Sequence, residues 1–86
     1  MIELWRDNLR EPNRLPEKVA GYEGITLHSA IVFLDIQAQL EADRLSWAKT
    51  IRVADEQEQD GTITYQRYIA GDKGDIIRLW LVFKAG

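Results

Sequence analysis

The chain has few side chains suited to nucleophilic catalysis. It contains one histidine, two serines and no cysteine, whereas a catalytic triad needs a nucleophile, a base and an orienting acid that meet in space. His28 precedes Asp35 by seven residues, which on a helix places them about two turns apart, beyond hydrogen-bond reach. Ser29, next to His28, is better suited to capping a helix. These residues therefore predict no catalytic site.

An enzymatic alternative depends on Asp35. This residue lies in a largely apolar segment, and a carboxylate in such surroundings can serve as a general base. The alternative hypothesis is a small hydrolase or isomerase with Asp35 as its base, which a pocket shared by Asp35 and His28 would support. The simpler interpretation is that Asp35 is a solvated helix residue.

An acidic stretch at residues 55–60 resembles a calcium-binding loop only in part. Its acidic members are Asp55, Glu56, Glu58 and Asp60. When the stretch is aligned as a calcium loop, Arg67 takes the position of the bidentate glutamate, and no helices flank it. The sequence therefore predicts neither a metal site nor a cofactor. We expect a solvated hairpin tip, or else an acidic contact with a basic partner.

Arginine and aromatic residues interleave on one side of the predicted sheet. With strict alternation, six side chains share this open face: Arg52, Gln66, Tyr68, Arg78, Trp80 and Val82. Such a face can stack bases and hold phosphates, although the same residue types are enriched at protein interfaces. The net charge of −3 weakens the nucleic-acid hypothesis. A third hypothesis is intramolecular cover, with Trp5 or Tyr22 packing on Trp80.

The element that carries most of the apolar residues is a long helix predicted over residues 26–48, capped by Thr26 or Ser29. Its first face comprises Leu27, Ile31, Leu34, Ala38, Ala42 and Leu45. Its second, opposite face comprises Val32, Phe33, Ile36, Leu40 and Trp47. A helix on the surface of a small domain needs only one apolar stripe. The second face is therefore expected to be covered, either by the rest of the chain or by another molecule.

The residues after the helix alternate between apolar and polar types, as strands do. Three strands are predicted at residues 49–56, 62–70 and 75–85, and the glycines between them indicate turns. Together they make an antiparallel meander over residues 49–85, with residues 2–5 as a short strand along its free edge. The rest of residues 1–24 holds both prolines and predicts an irregular arm. The expected fold is α+β: a single domain, residues 1–86, with one long helix on a three- to four-stranded antiparallel meander.

The face of the meander beneath the helix is expected to be apolar. Its predicted members are Ile51, Val53, Ile63, Tyr65, Leu79, Leu81 and Phe83. Arg67 falls on the same side by alternation, and a charged residue there predicts a bulge or an edge position.

Composition narrows the setting and the class of function. The chain has no cysteine, no signal-peptide pattern and no apolar run near the length that spans a bilayer, so we expect a cytoplasmic protein of bacterial or phage origin. The leading hypothesis is a small non-enzymatic interaction module, such as a regulator, inhibitor or adaptor. It is expected to form a homodimer through the second helix face, since a twofold dimer covers the same patch on both subunits.

Overall fold

The computed structural model describes residues 1–74 and 76–85, which form one helix on an antiparallel sheet. The elements in chain order are β1 (Ile2–Asn8), β2 (Glu17–Tyr22), α1 (Leu27–Arg44), β3 (Ala48–Val53), β4 (Glu56–Gln57), β5 (Ile63–Thr64), β6 (Gln66–Gly71) and β7 (Ile76–Phe83). Five strands form one sheet in the order β2-β1-β7-β6-β3, while β4 and β5 form a separate small hairpin. Helix α1 packs against β6, β3 and β7. The predicted α+β class is confirmed; Asp75 and Gly86, which fall within the predicted last strand and domain, lie outside the described residues.

The sheet has five strands, more than the three or four predicted, because the N-terminal residues supply two of them. Strand β1 pairs with β7 from Ile2 opposite Phe83 to Asn8 opposite Ile77. The predicted strand along the free edge of the meander is therefore confirmed, and it extends past residue 5. Strand β6 lies between β3 and β7, as a meander requires.

The prediction of an irregular arm is wrong for residues 17–22, which form β2 antiparallel to β1. Both prolines fall in the connection between the two strands, with Pro16 directly before β2, so neither removes a hydrogen bond from the ladder. A bulge between Leu4 and Trp5 adjusts the register. Because β2 is at the sheet edge, pairing with one neighbour is enough to order it.

Helix α1 is shorter than predicted at its C-terminal end. Thr26 is the N-cap, and its hydroxyl accepts a hydrogen bond from Ser29 N at 3.1 Å. The helix ends at Arg44, and Leu45 is already extended, so Trp47 is not part of the helix and does not share its second face. The chain turns here because Leu45 packs against the core and β3 begins at Ala48. No helix in the described part of the chain is long and apolar enough to cross a membrane.

The core lies between α1 and the sheet. Its buried members are Leu4, Ala30, Leu34, Ala38, Ile69, Ile77, Leu79 and Leu81. The helix contributes two alanines and one leucine, and the small alanines let its backbone approach the sheet closely. Ile31, Ala42 and Leu45 pack at the margin, so the first helix face meets the sheet as predicted.

Four residues that the helical spacing (Leu27) or the strand alternation (Val53, Ile63 and Phe83) assigned to the buried side are exposed. Leu27 is in the first helical turn, and Val53 ends an edge strand. Ile63 belongs to the separate β4–β5 hairpin. Phe83 ends β7 and contacts Tyr65 edge-on, with ring centroids 6.2 Å apart. The alternation was correct on the interior strands and failed where strands end.

Arg67 lies on the helix side of β6, opposite Leu79 on β7 and Val53 on β3, and it is buried. The expected bulge or edge position is wrong, because Arg67 is in an interior strand with regular pairing. Its Nε donates to Asp35 Oδ1 at 2.6 Å, and its Nη1 donates to Asp55 Oδ1 at 2.8 Å. Burial alone would lower the pKa of Arg67, but the hydrogen bonds to the two carboxylates raise it, so the guanidinium stays charged.

A second ion pair joins the helix to the sheet on the other side. Glu41 is buried, and its carboxylate accepts hydrogen bonds from Arg6 Nε at 2.8 Å and from Arg44 Nη2 at 2.7 Å. Arg6 Nη1 also lies 3.4 Å from Glu17 Oε1 on β2. Helix α1 is therefore held to the sheet by one charged contact at β6 and another at β1.

We predict that removing both acidic partners of Arg67 destabilises the fold more than removing Arg67 itself. The side chains of Asp35 and Asp55 are 54% and 36% exposed, whereas that of Arg67 is 4% exposed. The double variant D35A/D55A leaves a buried cation without a partner and should cost about 3–5 kcal/mol. R67M leaves two carboxylates that water can solvate, so its cost should be smaller.

Urea unfolding followed by circular dichroism measures both free energies of unfolding. The control is D43A, since Asp43 is an exposed helix residue that accepts a hydrogen bond from Gln39; its effect should stay within about 0.5 kcal/mol. A larger loss for R67M than for D35A/D55A would contradict the prediction.

A second prediction concerns Gly71, at the end of β6. A Cβ atom at this position would overlap the carbonyl oxygen of Trp47 and lie 2.7 Å from Trp47 Cε3. G71A should therefore cost about 1–3 kcal/mol or more, because backbone cannot yield as a flexible side chain can. The matched control is G21A in β2, where a Cβ would meet nothing within 4 Å. Thermal melts should show a lowered Tm for G71A only, and equal Tm values would refute this account of the contact.

Candidate functional site

The open face of the sheet, on the side away from α1, brings the predicted arginine and aromatic residues together. Arg52 is opposite Tyr68, and Tyr68 is opposite Arg78, so the three form a row across β3, β6 and β7. In the neighbouring row, Gln66 is opposite Trp80. None of the described elements forms a second layer over these residues.

Each arginine on this face lies over a ring. The guanidinium carbon of Arg52 is 4.7 Å from the centroid of the Tyr68 ring, and that of Arg78 is 4.4 Å from the Trp80 ring. These are cation–π distances. Each of the two guanidinium groups therefore contacts a neighbouring ring rather than extending freely into solvent.

Gln66 fixes the positions of Tyr68 and Arg78 through hydrogen bonds. It is buried, and its Oε1 accepts hydrogen bonds from Arg78 Nε at 2.6 Å and from Tyr68 Oη at 3.0 Å. Its Nε2 donates to Thr64 Oγ1 at 2.9 Å. Because both the donor and the acceptor atoms of this amide are used, its orientation is fixed, and so are the two side chains that it binds.

Trp5 extends the aromatic cluster onto β1. It is opposite Trp80, and the two rings are stacked with centroids 6.4 Å apart and planes at 26°. Packing of Trp5 on Trp80 was one of the predicted contacts. The second candidate, Tyr22, stacks instead on Phe33 of the helix at 5.0 Å. Trp5 comes from a neighbouring strand and not from a covering arm, so the face stays open.

Three charged residues that sequence reasoning missed complete this face. Glu3 Oε1 accepts a hydrogen bond from Trp5 Nε1 at 3.1 Å, and Glu3 Oε2 lies 3.4 Å from Lys18 Nζ. Lys84 Nζ is 3.8 Å from the same carboxylate. The hydrogen bond from Trp5 and the neighbouring ammonium groups lower the pKa of Glu3. The prediction of residues 2–5 as a strand was the signal that Glu3 and Trp5 share a face, because alternate residues of a strand point to the same side.

The second helix face is the other exposed surface of note. Val32, Ile36 and Leu40, spaced four residues apart, are 42%, 51% and 52% exposed. Phe33 is at the border of this face, where it contacts Tyr22. The described chain therefore covers one edge of the second face and leaves its centre bare.

The acidic stretch divides between two environments. Asp55 is bound to Arg67 and belongs to the ion pair beneath the helix, so it is not free for an acidic contact with a partner. Glu56, Glu58 and Asp60 are exposed around the β4–β5 hairpin. Asp60 Oδ1 accepts a hydrogen bond from Thr62 N at 2.9 Å, and the hydrogen bonding to Thr62 lowers the pKa of Asp60.

In the part of the chain that the structure describes, Asp35 and His28, the two residues of the enzymatic hypothesis, do not line a common pocket. Asp35 is held by the guanidinium of Arg67, and His28 is exposed in the first turn of α1. Two open grooves flank the helix, with volumes of about 310 and 440 Å³. They are lined by neighbours such as Gln39 and Ile51 on one side and Arg6 and Glu41 on the other, and neither contains Asp35 or His28.

We predict that Glu3 makes the fold sensitive to acid. Its pKa is below the ordinary 4.5 in the folded chain, so its ionised form favours folding above that value. This contribution is lost as the pH falls through the lower folded-state pKa. E3Q should therefore be less stable than the parent at pH 7, and its stability should vary less with pH in the acid range.

Urea unfolding at a series of pH values between neutral and acid tests this. W5F removes the indole donor to Glu3 and keeps an aromatic ring, so it should also flatten the acid dependence. If E3Q loses stability with acid as steeply as the parent does, Glu3 is not the group responsible.

Comparison with known proteins assigns no relative. Neither the protein-family models nor the curated proteins nor the solved structures include a match to this chain. What the chain does is therefore inferred from its own contacts, exposure and charge.

Proposed function

We propose that this chain is a small non-enzymatic interaction module, a regulator or adaptor, which self-associates through the second face of α1. The observation that carries the proposal is the exposed apolar row formed by Val32, Ile36 and Leu40. Each side chain is about half exposed, and the three lie on successive turns of one helix. Exposed apolar patches of this kind mark interaction sites in soluble proteins.

The charge pattern of the helix favours a second copy as the occupant. Asp35 and Glu41 are directed to arginines of the sheet, so these two charges are used inside the fold. On the outward side, Asp43 accepts a hydrogen bond from Gln39 at 2.8 Å. The exposed charges of the helix, Asp35, Asp43 and Arg44, lie beside or at the end of the apolar row, and the row itself has no charge for a charged partner to complement. Packed against itself across a twofold axis, it meets the same apolar row.

The expected strength of association follows from the exposure. Full burial of a large apolar side chain contributes about 1.5–3 kcal/mol, so six half-exposed side chains in a dimer contribute roughly half of that each, about 5–9 kcal/mol in all. Association costs roughly 4–15 kcal/mol in lost freedom of motion. At the lower end of this cost the apolar row alone supports weak association, and the contacts around it, including Phe33, set the final affinity. We expect a concentration-dependent dimer.

Light scattering combined with gel filtration, over roughly micromolar to millimolar concentrations, tests the proposal. The parent should approach the mass of a dimer as concentration rises. I36E should stay monomeric, because two carboxylates would face each other at the centre of the contact. The matched control is L15E, since Leu15 is 84% exposed but lies in the β1–β2 connection; it should dimerise as the parent does.

Circular dichroism should show that I36E keeps its helix, because Ile36 is outside the core. A parent that remains monomeric over the whole range would refute self-association. So would a folded I36E variant with the mass of the parent.

A further inference from the structure

The open face of the sheet carries a diagonal track of rings and guanidinium groups. Its members are Trp5 on β1, Trp80 and Arg78 on β7, Tyr68 on β6 and Arg52 on β3. The track crosses four adjacent strands, which corresponds to a length of about 14 Å at the usual strand spacing. We infer that this track binds a short stretch of single-stranded nucleic acid, a function beyond the proposed self-association.

Positive charge is concentrated on this face. The basic side chains on this face are Lys18, Arg52, Arg78 and Lys84, against the acidic Glu3 and Asp7. The face is therefore positive although the chain as a whole carries −3. Arg52 forms no ion pair with any described residue. An anionic partner complements this face and not the rest of the molecule.

The arginines of this face are paired with its rings. Arg52 lies over Tyr68 and Arg78 over Trp80, which places planar guanidinium groups beside aromatic rings on the open face. Bases stack on such planes as well as on aromatic rings, while the N–H groups at the edge of a guanidinium bind phosphate oxygens. The buried amide of Gln66 holds Arg78 in this orientation, so little order has to be created on binding.

The mixture of rings and arginines distinguishes single strands from other anions. An acidic peptide needs cations alone, whereas single strands combine phosphate contacts with base stacking on rings and guanidinium groups. Duplex DNA keeps its bases stacked inside, and the track lies on sheet strands, without a helix placed to enter a groove. Rings, planar cations and a flat surface together fit unpaired bases best.

Fluorescence anisotropy of labelled twelve-nucleotide dT and rU strands, with the full chain at low salt, tests the inference. We expect binding that weakens steadily as salt rises, because the contacts release counterions. R52Q/R78Q should bind about tenfold or more weakly and show a shallower salt dependence. The matched control is R14Q, which replaces an exposed arginine in the β1–β2 connection and should bind as the parent does.

R52Q alone guards against misfolding, since Arg52 is exposed and its only described contact is the Tyr68 ring; it should still weaken binding several-fold. The inference is overturned if neither strand binds at low salt, or if R52Q/R78Q binds as the parent does. Equal binding of a twelve-residue polyglutamate peptide would overturn it in favour of an acidic protein partner. I36E should keep its affinity for the strands, so failure of the dimer proposal and failure of this inference are distinguishable.

Discussion

The structure depends on the pairing of β1 with β7. In the described part of the chain, the sheet order β2-β1-β7-β6-β3 shows that this is the one ladder joining the N-terminal hairpin to the strands that follow the helix. It brings Leu4 next to Leu81 in the core and Trp5 next to Trp80 on the open face. The paired residues are more than 60 positions apart in the chain, so a large loop must close before either side is complete, and such non-local pairing slows folding.

Charge within the helix–sheet layer fixes how α1 lies on the sheet. Apolar contacts are not directional, so the apolar side chains that dock the helix do not by themselves select specific partners on the sheet. The Arg67–Asp35 and Arg6–Glu41 pairs do select them, because each contains one buried charged side chain, Arg67 or Glu41, that must keep its hydrogen bonds. Their two positions, near β6 and near β1, set the rotation of the helix. That rotation turns Val32, Ile36 and Leu40 outward.

Local patterns in the sequence correctly predicted the interior of the fold. The change from helical to alternating period located the helix and the meander, and alternation placed Arg52, Tyr68, Arg78 and Trp80 on one face. The failures share a physical cause, since each depends on contacts distant in sequence. Strand β2 forms because it pairs with β1. Helix α1 ends where Leu45 and Trp47 pack against the core. Arg67 is tolerated in the interior because Asp35 and Asp55 arrive from two other elements.

The sheet has a layer on one side only, and this asymmetry has a geometric consequence. Two copies joined through their helices would stack as sheet, helix, helix and sheet, with both open faces turned outward and away from each other. A single short ligand could not reach both faces, so the second copy would not increase the affinity for a ligand bound to the first copy. The dimer would bind two nucleic-acid strands, or two separate segments of one long strand, at the same time.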